Sequence, residues 1–173
     1  MKISRMLAAG ELIPLRRSLY LSDRTVEPLA LASAIYGPSY VSFESALAWH
    51  GLIPERVEEV VCATLKRPVR FETPVGRYRY RHVSSRVFAI GIERVEDPLL
   101  PWLLASPTKA LCDSVALDAS IRSQKDVRAW LDGMRIVEVS VLDQEQLAAC
   151  AASYGRPAVR HLARYFQKNP TTP

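Results

Sequence analysis

Glycine, cysteine and histidine are scarce in this chain, and each shortage removes a class of chemistry. The seven glycines never fall in a G-x-x-x-x-G-K-[ST] run, so no phosphate-cradling P-loop is present. Cys62, Cys112 and Cys150 are odd in number and far apart, with no C-x-x-C pair, and His50, His82 and His161 are equally scattered. That spacing argues against a zinc motif and suits reduced thiols in a cytoplasmic protein. No acidic pair is followed closely by lysine, as a restriction-type nuclease would need, and no Gly-Ser turn with a D-x-D pair marks a nucleotidyltransferase. No local signature of nucleophilic catalysis stands out. No apolar run reaches the roughly 18 residues of a membrane span, and the first residues form no basic-then-apolar leader. The expectation is a non-enzymatic, cytoplasmic protein with no catalytic residue, metal or cofactor.

What the chain has in quantity is positive charge in one place. Lys66 to Arg86 reads KRPVRFETPVGRYRYRHVSSR, with Glu72 the only acid, while the net charge of all 173 residues is just +5. Everything outside this window is therefore slightly acidic. Val69 to Glu72 and Arg77 to His82 read as strands around a Thr73-Pro74-Val75-Gly76 turn, with proline and glycine at the positions that favour them. In the second strand Arg77, Arg79 and Arg81 share one face, and Tyr78, Tyr80 and His82 the other. Such a row is either a solvated edge that discourages strand pairing or a ridge that tracks phosphates.

In chain order, Ile3 to Ala9 reads as a short helix stopped by Gly10. Two short strands, Glu11 to Leu15 and Ser18 to Leu21, follow around Arg16-Arg17. A helix and a basic hairpin are the last third of a winged helix-turn-helix, in which the helix enters the major groove and the wing touches phosphates. Leu29 to Tyr36 is an expected helix, and Ser42 an expected N-cap for a helix carrying Phe43, Ala46, Leu47 and His50 on one face. Val57 to Leu65 reads as a buried strand and Val87 to Val95 as another, giving a central sheet of about four strands. Ser106-Pro107 opens a helix, in which Lys109 and Asp113 stand one turn apart as a surface pair or a structural anchor. Ser123 with Asp126, and Asp143 with Gln146, signal two more helix starts. Ile136 to Leu142 stays open between strand and linker. The last helix, Pro157 to about Gln167, buries Val159, Leu162, Ala163 and Phe166, and sets Arg156, Arg160, Arg164 and Lys168 along one flank. No acid follows Glu145, so this end is a second basic element.

Three motifs, spread over roughly residues 10 to 115, carry a family resemblance. Tyr40-Val41-Ser42, Ser45-Ala46-Leu47 and His50-Gly51-Leu52 form the first. Phe71-Glu72-Thr73-Pro74, Gly76, Tyr78, Tyr80 and His82 form the second. Ala105-Ser106-Pro107-Thr108-Lys109-Ala110-Leu111 with Asp113 forms the third. In this order they resemble the AbiEi family, the antitoxins and transcriptional regulators of type IV toxin–antitoxin systems that serve in phage defence. Ser18 stands where that family's wing usually has glycine, and Thr108 where it usually has glutamate.

The chain reads as an α+β protein: a partial winged helix-turn-helix (helix plus wing) over residues 1–25, then a mixed sheet-and-helix domain with C-terminal helices over 29–168, similar to the AbiEi antitoxin domain, and a tail over 169–173. The resemblance implies a repressor that binds the promoter DNA of its own operon and counters a nucleotidyltransferase-type toxin without a stable complex. Homodimerisation would be reasonable for such a repressor. The residues themselves support a basic nucleic-acid binder. Its candidate contacts are Lys2 and Arg5 on the helix, Arg16, Arg17 and Tyr20 in the wing, Lys66, Arg67, Arg77, Arg79 and Arg81 in the basic window, and Arg156, Arg160 and Arg164 at the end. Base readout would fall to Lys2, Ser4 and Arg5. The alternative is a protein-interaction module whose basic faces dock an acidic partner without binding DNA.

Overall fold

The computed structural model describes residues 2–136 and 139–169. The chain forms an α+β fold with one mixed sheet and a set of C-terminal helices. A short helix, α1 (Lys2–Ala8), leads into a hairpin of β1 (Ile13–Arg16) and β2 (Leu19–Leu21), then a 3-10 turn (Pro28–Leu31) that runs into α2 (Ala32–Tyr36). The other strands are β3 (Ser39–Val41), β4 (Glu59–Thr64), β5 (Val69–Thr73), β6 (Gly76–His82), β7 (Ile92–Val95) and β8 (Trp102–Ala105). They make one six-stranded sheet in the order β5-β6-β4-β3-β8-β7. The helices are α3 (Phe43–Trp49), α4 (Ser85–Phe88), α5 (Pro107–Ala116), α6 (Gln124–Gly133), α7 (Gln144–Tyr154) and α8 (Pro157–Lys168).

The expected basic hairpin forms as β5 and β6, antiparallel, with Thr73 opposite Gly76 across a two-residue loop. Alternation places Tyr78 and Tyr80 on one face, where their hydroxyls donate to the carbonyls of Pro28 (2.9 Å) and Ala32 (2.7 Å). The 3-10 turn and α2 therefore cover the tyrosine face. The opposite face carries Arg77, Arg79 and Arg81, and register extends it across the sheet: Arg81 lies beside Ala63 of β4, and Ala63 beside Tyr40 of β3. Tyr40 points into α5, so that half of the arginine face is covered and the β5–β6 half is open. Ile13, Leu15 and Leu21 of the first hairpin join the same buried cluster as the sheet.

Two expectations need correction. The sheet has six strands, because β3 and β8 are too short for periodicity to reveal and rely on neighbours for their pairing. The segment 87–95 is not a single strand. Ser84 caps a one-turn helix through Phe88, Gly91 takes φ +62°, and only Ile92–Val95 pairs. Of the two readings of Lys109 and Asp113, surface pair or structural anchor, the structure bears out the anchor: both are fully buried, 3.1 Å apart. Of the open stretch 136–142 and the tail 169–173, residues 137, 138 and 170–173 lie outside the described residues.

That buried pair is satisfied from all sides. The ammonium of Lys109 donates to the Val87 carbonyl at 2.7 Å and to the Tyr154 hydroxyl at 2.6 Å. The carboxylate of Asp113 accepts from Tyr40 (3.0 Å), Ser42 (2.6 Å) and Tyr154. Ser42 does sit at the start of α3, but its hydroxyl serves Asp113 and makes no cap bond. Burial, followed by the Asp113 charge, raises the pKa of both Tyr40 and Tyr154 and keeps their hydroxyls as donors. Removing one member strands a buried charge, which costs about 3–5 kcal/mol. Lys109→Met should therefore lower urea stability by about that much, whereas Lys109→Met with Asp113→Leu should recover a large part of it; equal loss in both variants would refute the anchor.

Candidate nucleic-acid interface

Charge along β6 changes sign of context from one end to the other. Near the turn, Arg77 lies between Glu59 of β4 and Glu72 of β5 in the sheet register, and its guanidinium pairs with Glu58 at 2.8 Å. Two residues on, Arg79 lies between Val61 and Arg70. Like charges directly opposite one another destabilise a strand pair, and Arg70 reaches an acid only at 3.5 Å, in Glu59. Next comes Arg81, beside Ala63, with its guanidinium 4.7 Å from the Phe43 ring centroid. Burial, the largest effect, pulls the Arg81 pKa below its ordinary value; Arg79 adds to this and Glu44 opposes it. Phe43 is held at φ +52°, a left-handed conformation that costs about 1–2 kcal/mol outside glycine, and its ring underlies Arg81.

The open half of this face forms a groove of about 750 Å³, closed on its far side by Leu117 after α5 and Arg156 before α8. Arg70, Arg79, Arg81 and Arg156 line it together with His82, and no acid lines it among the described residues. Arg79, Arg81 and Arg156 make no ion pair among the described residues. Two basic elements far apart in sequence thus meet: the strand hairpin and the N-terminal end of α8.

The other candidate residues divide into free and engaged. Lys2 and Arg5 are exposed on α1, a helix with no buried residue. Arg17 is exposed at the hairpin turn, next to Ser18 at φ +62°, the conformation a wing glycine would adopt without strain. Tyr20 is half-buried opposite Pro14. Arg16 is engaged in the fold: its guanidinium donates to the Ile35 carbonyl and lies 5.4 Å from the Phe71 ring centroid, bracing the hairpin against β5. Lys66 rests 5.0 Å from the Tyr36 ring centroid, and Arg67 is exposed. Arg160 and Arg164 are exposed farther along α8 and do not line the groove. Arg70, His82 and Leu117 belong to the groove but were not among the candidate contacts. Arg70 could have been found from the charge window; Leu117 carried no signal.

No family model matches the chain, and no curated protein matches it.

The division between Arg16 and Arg17 is testable. Arg16→Ala should lower stability by about 1 kcal/mol, the worth of a partly exposed charged hydrogen bond, while Arg17→Ala should leave the unfolding midpoint unchanged; the reverse order would overturn the bracing role.

Proposed function

We propose that this protein binds nucleic acid through its arginine groove and serves as a DNA-binding autorepressor and antitoxin, the role its AbiEi-like motifs imply. The observation that carries the binding half is the groove itself. Arg79 and Arg81 are positioned beside Arg70 and Arg156 without an ion-pair partner among the described residues, an arrangement that favours an incoming anion. A ribbon of phosphates supplies several at once and releases its counterions in exchange.

The first hairpin supports the same reading. It packs on the tyrosine face of β5 through Arg16 and Phe71, while Arg70 of the same strand faces the groove. Exposed cations therefore border both sides of one edge strand. A backbone could pass from Arg17 and α1 around that edge to Arg79 and Arg81. Groove contacts of this kind position a duplex, and base readout would rest with Lys2, Ser4 and Arg5 as the helix of a partial winged helix-turn-helix. The antitoxin half, directed at a nucleotidyltransferase-type toxin, rests on the motif resemblance alone.

One observation favours the second reading, docking of an acidic protein: β5 ends the sheet with its outer edge unpaired among the described residues, a site for strand addition. Unrelated duplex added as a competitor separates the two readings, since it removes a DNA-bound chain and leaves a protein complex intact.

The test is binding to the DNA upstream of its own gene, against scrambled duplex, over a salt series. The logarithm of affinity should fall linearly with the logarithm of salt. Arg79→Ala, Arg81→Ala and Arg156→Ala should each reduce the slope by about 1. Arg77→Ala, whose charge Glu58 already holds, should change it little. No binding at moderate salt, or an equal effect of Arg77→Ala, would refute the groove as the interface.

A further inference from the structure

Beside the arginine groove lies a smaller pocket of about 150 Å³. His82, Leu117 and Arg156 line both, so one continues into the other. Val83, Val87 and Ala116 give the small pocket apolar walls, and Asp113 and Tyr154 border its inner end. Leu117 is a large apolar side chain, 37% exposed, at the shared mouth.

A cavity of about 150 Å³ with apolar walls holds a single aromatic ring the size of benzene. The polar groups at its inner end are already engaged: Tyr154 accepts from Lys109 and donates to Asp113, and Asp113 also accepts from Tyr40 and Ser42. They leave no unmet hydrogen-bonding demand, while His82 and Ser84, whose hydroxyl oxygen accepts from the Arg86 amide, border the rest of the pocket; the apolar walls suit a flat ring. Immediately outside stand Arg79, Arg81 and Arg156, without ion-pair partners among the described residues. A pyrimidine nucleotide has both parts: a single aromatic ring joined through a sugar to phosphate.

We infer that this corner binds one nucleotide unit, with its base in the small pocket and its phosphates on Arg79, Arg81 and Arg156. The inference rests on the groove taking phosphate, and it adds a base site which duplex binding alone would not use. The unit is either a free nucleotide or an unpaired nucleotide of a strand; both present the same chemistry.

Three ligands on the full chain at one fixed salt concentration test it: inorganic tripolyphosphate, a nucleoside triphosphate, and a short single strand with a 5′-phosphate. The nucleoside triphosphate should bind about tenfold more tightly than tripolyphosphate, a difference of about 1.4 kcal/mol. Ala116→Phe should remove that difference by filling the pocket while tripolyphosphate binding persists. Leu117→Ala, on the exposed lip, should narrow it without disturbing the core. A single strand that binds more tightly than the free nucleotide, and loses that advantage in Ala116→Phe, assigns the site to strands; the opposite order, with the same loss, assigns it to free nucleotides. Equal affinity for tripolyphosphate and nucleoside triphosphate would overturn the base site and leave the phosphate groove standing. Failure of tripolyphosphate to bind would overturn both.

Discussion

Lys109 and Asp113, one helical turn apart on α5 and closed off from water, must find every partner inside the protein, and those partners come from separate parts of the chain. Tyr40 and Ser42 arrive from the end of β3, Val87 from α4, and Tyr154 from the end of α7. A charge removed from water is strongly unfavourable unless it is paired and hydrogen-bonded. The pair therefore does little for net stability, since apolar side chains of similar volume could fill the same space. Its effect is on uniqueness: an arrangement that misplaces any of these segments leaves a buried charge unmet. Two residues beyond Tyr154 the chain reaches Arg156, so the anchor also fixes where α8 begins and where the far wall of the groove stands.

The groove follows from register as much as from composition. Seven basic residues in the window 66–86 read as one ridge in the sequence, yet the sheet separates them. Parallel pairing with β4 brings Glu59 beside Arg77, and antiparallel pairing with β5 brings Glu72 there as well. One step along, the same two neighbours become Val61 and Arg70 beside Arg79. Because side chains alternate with a period of two, a slip of one residue in either pairing would exchange this basic end for the tyrosine face. The burial of Tyr78 and Tyr80 prevents that slip. The apolar half of β6 thus determines where its charged half can point.

Much of the helical part was legible in the sequence, because its signals are local. Ser106-Pro107, Ser123 with Asp126 and Asp143 with Gln146 start helices where their capping chemistry says they should, and the stripe from Val159 to Phe166 is buried. The basic hairpin was legible for the same reason, since a proline–glycine turn between alternating strands needs no distant partner. What was hidden depended on distant contacts. Ser42 has the sequence context of a cap, but its hydroxyl donates to the distant Asp113 carboxylate and accepts no N–H of its own helix. Arg16 has the context of a wing cation, but Phe71 and the Ile35 carbonyl lie within its reach. Strand β8 is four residues long after a proline, and only β3 and β7 make it a strand. Leu117 faces the groove because α5 ends there, a fact no residue near it announces.

Placing Arg79 against Arg70, and Arg81 half-buried against Phe43, works against folding in the absence of an anion. Cross-strand repulsion, lost hydration and a left-handed phenylalanine all oppose it. Elsewhere on the same sheet the chain avoids that cost by pairing arginine with glutamate, as at Arg77, so the arrangement is a local departure rather than a consequence of composition. It persists because β6 is held on its other face by two buried tyrosines, and the wall opposite is held by the Lys109–Asp113 anchor. Cations fixed in this way lose little further freedom when an anion arrives, and the repulsion among them is relieved at the same moment. Pre-organisation of that kind lowers the entropic cost of binding. The stability given up at the open end of β6 is thus the physical ground for proposing anion binding there and not at the exposed cations of α8.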